Sequence, residues 1–142
     1  LRRGYFAFVG RRDTIKSAGY VTDLNDSLLF ALDRPEREIT YNFAYPQRYT
    51  IDEIVGTFCK VGGFRRPFLT LPMSLLSLAA IPFEMLDRIG VRNPIHRKRL
   101  IKLRESTNIV PQWLVDHGFR FRTDLASALT EWKGNSPTGA FE

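Results

Sequence analysis

Ser17-Ala-Gly-Tyr-Val-Thr-Asp-Leu-Asn-Asp-Ser-Leu-Leu-Phe-Ala-Leu32 changes its hydrophobic period at a single residue. Tyr20 and Val21 read as the end of a strand, whereas Leu24, Leu28, Leu29 and Leu32 recur at helical spacing. Asp23 stands at the switch. A carboxylate there can accept hydrogen bonds from the orphan N–H groups of a new helix and complement the positive end of its dipole, so Asp23 is expected to be an N-cap rather than a catalyst. A strand feeding a helix in this way sets the class as α/β.

Upstream, Gly4 to Val9 is aromatic and β-branched and predicts a strand, and Gly10 to Asp13 predicts a turn. Thr14 to Val21 returns as a second strand, so the economical expectation is a hairpin. Arg2, Arg3, Arg11, Arg12 and Lys16 make this end basic, as a solvated face or as an anion site.

Downstream, a polar break at Asp33 to Arg37 precedes Glu38 to Phe43, which has the composition of a strand. Thr50-Ile-Asp-Glu53 fits a capping box, with a helix to about Val61 and Gly62-Gly63 available for a left-handed C-cap. Phe68 to Leu71 predicts a short strand leading into an apolar helix over Leu71 to Leu86, kinked at Pro82. Asn93-Pro94 would open a basic helix over Ile95 to Arg104. Val110 to His117 predicts a short helix stopped by Gly118. Thr123 is expected to cap a last helix over Asp124 to Lys133. The chain is therefore expected to be one unit over 1–133, mostly helical with a few short strands, followed by a flexible tail over 134–142.

With 142 residues, 44% hydrophobic and 25% charged, the chain has the composition of one folded domain rather than a disordered segment. Its net charge of +6 favours anionic partners without choosing among them. A single cysteine excludes an intramolecular disulfide framework and points to a reducing, cytoplasmic compartment. Two separated histidines, His96 and His117, and no cysteine cluster argue against a metal site. Residues 1–10 lack the apolar core of a signal peptide. The Leu71 to Leu86 run carries Glu84 and is shorter than the roughly 20 residues that cross a bilayer.

The order of these motifs resembles the second half of extended short-chain dehydrogenases of the NAD-dependent epimerase/dehydratase family. Lys16-Ser-Ala-Gly-Tyr-Val-Thr-Asp-Leu24 looks like that family's Tyr-Val-x-Asp strand-to-helix corner. Glu38-Ile-Thr-Tyr-Asn42 and the capped Thr50-Ile-Asp-Glu-Ile54 helix follow in the family's order. His117-Gly-Phe-Arg-Phe-Arg-Thr-Asp-Leu-Ala-Ser-Ala-Leu129 resembles its closing segment, with His117 in place of Leu and Phe121 in place of Pro. Asn108-Ile-Val-Pro-Gln-Trp113 also departs from the family's lead-in.

The resemblance implies the C-terminal, substrate-binding portion of a Rossmann-type epimerase without its dinucleotide-binding half. The Gly-rich turn that cradles a pyrophosphate is absent, and none of Tyr5, Tyr20, Tyr41, Tyr45 or Tyr49 has the lysine four residues later that the family's acid/base tyrosine uses. NAD or NADP would accordingly belong to the parent protein and none to this chain, which alone would be inactive. The implied substrate is a nucleotide sugar. Lys16 falls where the family often carries an arginine that touches the substrate's diphosphate, and Arg99 or Arg104 would supply a second phosphate-facing cation. The missing half, or a second copy of the chain, is the expected protein partner. Two alternatives stay open: a superfamily reductase for a lipid- or steroid-type alcohol, with the Leu71 to Leu86 helix lining its pocket, and a basic module for nucleic acid or anionic membrane carried by the Arg97 to Arg104 helix.

Overall fold

Helix α1 spans Val21–Leu32 in a computed structural model that describes residues 6–75, 78, 105–139 and 141. Of the apolar Leu71 to Leu86 run, 73–75 and 78 are helical. The run beyond 78 with Pro82, the Asn93-Pro94 cap and the basic Ile95 to Arg104 helix lie outside the described residues, as do Arg2 and Arg3.

The N-cap of α1 is the extended Tyr20, whose side chain makes no capping bond. Asp23, expected at the cap, lies inside the first turn and is completely buried. Its carboxylate accepts hydrogen bonds from the backbone N–H of Arg122 at 2.7 Å and of Thr123 at 3.3 Å, and from the Thr123 hydroxyl. The Tyr45 hydroxyl lies 2.5 Å from Thr123 Oγ1 and 3.5 Å from the same carboxylate. A buried carboxylate survives only when donors surround it, and the competing donors from the far end of the chain explain why Asp23 is turned inward rather than onto its own helix end.

One turn later Ser27 is also buried, its hydroxyl donating to Leu24 O at 2.7 Å and lying 3.1 Å from the Tyr41 hydroxyl. The polar side of α1 thus faces inward. Val21, Leu28 and Leu29 face out, 60%, 49% and 63% exposed, and Leu32 is 79% exposed. This inverts the usual surface helix, whose apolar stripe covers the core. Each of these side chains would gain about 1.5–3 kcal/mol if fully covered.

The expected hairpin does not form. Strand β1, Phe8–Val9, pairs in parallel with β4, Thr70–Leu71, and β2, Ile15–Lys16, pairs antiparallel with β3, Tyr49–Thr50. Gly10 at φ 70° turns the chain out of β1, and Arg12 fastens it to the second partner: Nε donates to Thr70 Oγ1 at 2.8 Å, a second nitrogen to Phe68 O, and the guanidinium sits 4.5 Å over the Phe8 ring. These long-range bonds outcompete a local turn. Glu38 to Phe43, expected as a strand, joins no ladder among the described residues.

Helix α2, Ile51–Gly62, follows its sequence signals closely. Thr50 and Glu53 close the capping box, and Gly63 at φ 70° supplies the left-handed C-cap. The Thr50 backbone N–H holds the Glu53 carboxyl below its usual pKa. Val55 and Cys59 pack with Phe8 in a small core, bordered by Ile51 and Phe64. Helix α3, Gln112–Asp116, is shorter than expected and ends before Gly118 at φ 76°.

Helix α4, Leu125–Asn135, is capped by Asp124 in reciprocity with Ser127. Thr123 is therefore not the cap, because its hydroxyl is committed to Asp23. α4 lies on α2: Lys133 Nζ donates to Val61 O at 2.8 Å, and the Phe58 and Trp132 rings meet at 6.1 Å. Phe141, in the segment expected to fray, packs at 5.3 Å from Phe58 and 5.4 Å from Trp132.

Aromatic rings join α1 to the C-terminal half. Phe30 meets Trp113 at 6.2 Å and Phe119 at 5.3 Å, Tyr41 stacks on Trp113 at 5.4 Å, and Phe121 contacts Phe43 at 6.1 Å and Tyr45 at 5.9 Å. Phe121 also meets Phe119 at 5.0 Å and so sits among three rings.

Two stability measurements follow from the Asp23 cluster. Asp23→Ala strands the donors of Arg122 and Thr123 in the interior and should cost about 3 kcal/mol in urea unfolding. Burial is the main cause that pushes the Tyr45 hydroxyl up to about 12 from 10.0. The unfolded chain loses that proton first, so the neutral tyrosine's contribution is intact below pH 10 and is lost as pH rises through about 12. Tyr45→Phe should reduce this alkaline loss, measured as the pH dependence of the unfolding free energy.

Candidate substrate-facing site

β2 ends at Lys16, and the residues after it carry the chain to α1. Segment 105–109 runs alongside and is stitched to it. Thr107 bridges Lys16 in parallel, Thr107 N–H donates to Ile15 O at 3.0 Å, Ser17 Oγ donates to Thr107 O at 2.6 Å, and Ile109 N–H donates to Ser17 Oγ at 2.8 Å. This segment carries Ser106-Thr107-Asn108, just after the expected Ile95 to Arg104 helix. Its hydroxyls are the signal for this role, because they bond backbone groups that a neighbouring strand leaves open.

Beyond this seam lies a cavity of about 370 Å³ lined by Ser17 to Val21, Leu24, Phe43, Ala44 and Ile109. Its floor is fixed by Tyr45 N–H donating to Ala18 O at 2.7 Å. Gly19 admits no side chain, since a Cβ there would stand 2.6 Å from the Phe43 ring. The walls are mainly apolar, with Ser17 and Tyr20 among the lining residues, and the Tyr20 hydroxyl is hydrogen-bonded to the Glu131 carboxylate. Burial, then the nearby Glu131 carboxylate, raises the Tyr20 pKa and keeps this phenol neutral.

Lys16 immediately precedes the cavity wall and is half-buried, with Nζ donating to Glu105 O at 2.6 Å. Lys16 precedes the lining residue Ser17 in the chain and is not itself part of the lining. Arg99 and Arg104, the other expected phosphate contacts, lie outside the described residues. The remaining cations near this end are engaged by the protein: Arg11 by Asp13, Arg12 by the β4 segment, and Arg66 by Asp52 at 2.5 Å.

At the corner that leads into α1, a Cβ on the exposed Gly19 would meet the Phe43 ring, and the N-cap is Tyr20. Among the described residues no helix is long and apolar enough to cross a membrane, and no group of three or more His, Cys, Asp and Glu could hold a metal ion.

Tyr45 and Asp23 were missed as a pair. Nothing in their spacing predicts that they meet, since the contact runs through Thr123, 100 residues from Asp23. They make a structural cluster.

No known family profile matches the sequence. No curated protein matches it either. Among solved structures, the human epimerase family protein SDR39U1 (isoform 2), determined with NADPH, superposes with a TM-score of 0.70 at 22% identity. The match covers 95% of this chain and 41% of that one, so this chain spans less than half the neighbour's length. The likeness is one of fold: an α/β arrangement of helices with few strands, shared with an epimerase family protein over nearly the whole chain.

Proposed function

We propose that this chain is the substrate-recognising portion of an NAD(P)-dependent epimerase or dehydratase acting on a nucleotide sugar, and that a separate dinucleotide-binding half supplies the coenzyme and the acid/base tyrosine. The observation that carries this is the fold likeness, over 95% of the chain, to an epimerase family protein determined with NADPH. The ordered motifs from Lys16 to Leu129 support it from the sequence side. On its own the chain binds and orients without turning over.

In this account Lys16 attracts the substrate's diphosphate at the mouth of the cavity, as a point charge rather than a two-point clamp. Arg99 or Arg104 adds the second cation. Ser17 and the neutral Tyr20 phenol present hydroxyls that can hydrogen-bond sugar hydroxyls, and the apolar wall from Ala18 to Ile109 excludes water from the sugar face. The same apolar wall favours a second reading, a reductase of the superfamily for a lipid-like alcohol.

Titration calorimetry on the full polypeptide that carries this chain, with NADPH present, separates the two. A UDP-hexose should bind, and Lys16→Ala should weaken it by about 10-fold, or about 1.4 kcal/mol, with Lys16→Arg restoring most of the loss. An unchanged Kd, or binding of a steroid alcohol in preference to the UDP-hexose, overturns the nucleotide-sugar assignment.

A further inference from the structure

We propose that the hydroxyls of Ser17 and Tyr20 meet the substrate as hydrogen-bond acceptors and not as donors, so that the site selects a sugar by a hydroxyl that donates. This deepens, and rests on, the nucleotide-sugar reading above.

A serine hydroxyl carries one donor proton and two acceptor lone pairs, and a phenol likewise has a single proton to give. Ser17 has committed its proton and one lone pair inside the protein. Its Oγ donates to Thr107 O at 2.6 Å and accepts from Ile109 N–H at 2.8 Å. The Ser17 backbone N–H is committed as well, to Thr107 Oγ1 at 3.4 Å. One lone pair on Oγ remains for a ligand. Turning the hydroxyl proton toward the cavity would give up the bond to Thr107 O, while Ile109 N–H still holds the oxygen in place.

Tyr20 reaches the same condition from the other direction. Its hydroxyl is hydrogen-bonded to the Glu131 carboxylate of α4. A carboxylate has no proton to give, so the phenol is the donor and its oxygen keeps lone pairs alone. Thr22 Oγ1 donates to the same carboxylate at 3.3 Å, and α4 is fixed to α2 through Lys133 Nζ on Val61 O at 2.8 Å. The group that holds the phenol proton is therefore anchored on both sides. Donation to a carboxylate also polarises the O–H bond and strengthens the phenol oxygen as an acceptor.

Ala18, Val21, Leu24, Phe43, Ala44 and Ile109 supply the rest of the lining, and their side chains carry no donor. A sugar hydroxyl offers Ser17 and Tyr20 the proton that each lacks. A keto oxygen or a fluorine in its place sets lone pairs against lone pairs, and the site's acceptor is left unpaired.

Titration calorimetry on the full polypeptide that carries this chain, with NADPH present, tests this with a UDP-hexose and with analogues in which fluorine replaces one sugar hydroxyl at a time. Fluorine is close to a hydroxyl in size and does not donate. At one or more positions the fluoro analogue should bind about 10-fold more weakly than the parent. Tyr20→Phe keeps the ring in the wall and should level parent and fluoro analogue at the position that Tyr20 meets, with an unchanged urea midpoint showing that the variant folds. Fluoro analogues that bind within about 2-fold of the parent at every position overturn the acceptor assignment alone. Tyr20→Phe that leaves every difference in place overturns it for Tyr20. A parent UDP-hexose that does not bind overturns the nucleotide-sugar reading itself.

Discussion

The buried carboxylate of Asp23 is the interaction on which the remaining architecture depends. It sits in the first turn of α1 and collects donors from Arg122 and Thr123, with the Tyr45 hydroxyl beside it. Through one side chain the start of α1, the 41–45 segment and the entry to α4 are fixed to one another. An unpaired carboxylate in that position would be costly, so the three segments order together or not at all. The aromatic rings from Phe30 to Phe121 then fill the space around this polar centre.

Turning Asp23 and Ser27 inward obliges the leucines of α1 to turn outward. One side of the helix carries the polar anchors, and Val21, Leu28, Leu29 and Leu32 are exposed on the other. The cavity beside Lys16 lies at the same end of α1, lined by Val21 and Leu24 as well as by the seam to 105–109. The cavity and the exposed apolar face of α1 are therefore neighbours.

The local signals in the sequence were legible where the deciding physics is local. The Thr50 capping box, the Gly63 C-cap and the Gly118 stop depend on residues within one turn, and they appear as read. Asp23 and Thr123 were misassigned for a common reason. Both are good cap residues, and each is claimed by the other across the fold. The expected hairpin failed similarly, because Arg12 and the β4 backbone bind the chain more strongly than the Gly10 turn can. Glu38 to Phe43 has the alternation of a strand without its partner. Of the candidate site, Lys16 was named from its place before the Tyr20-Val21 corner and remains a proposal, whereas the seam formed by Ser17, Thr107 and Ile109 depends on a long-range register that spacing does not encode.

We propose that a diphosphate-bearing substrate is held at the Lys16 end of α1. A crystal structure of the full polypeptide with NADPH and a UDP-hexose bound is the decisive measurement. The diphosphate is expected within hydrogen-bonding distance of Lys16 Nζ, with the sugar against the Ser17 to Val21 wall. A diphosphate remote from residues 16–21 would overturn the assignment.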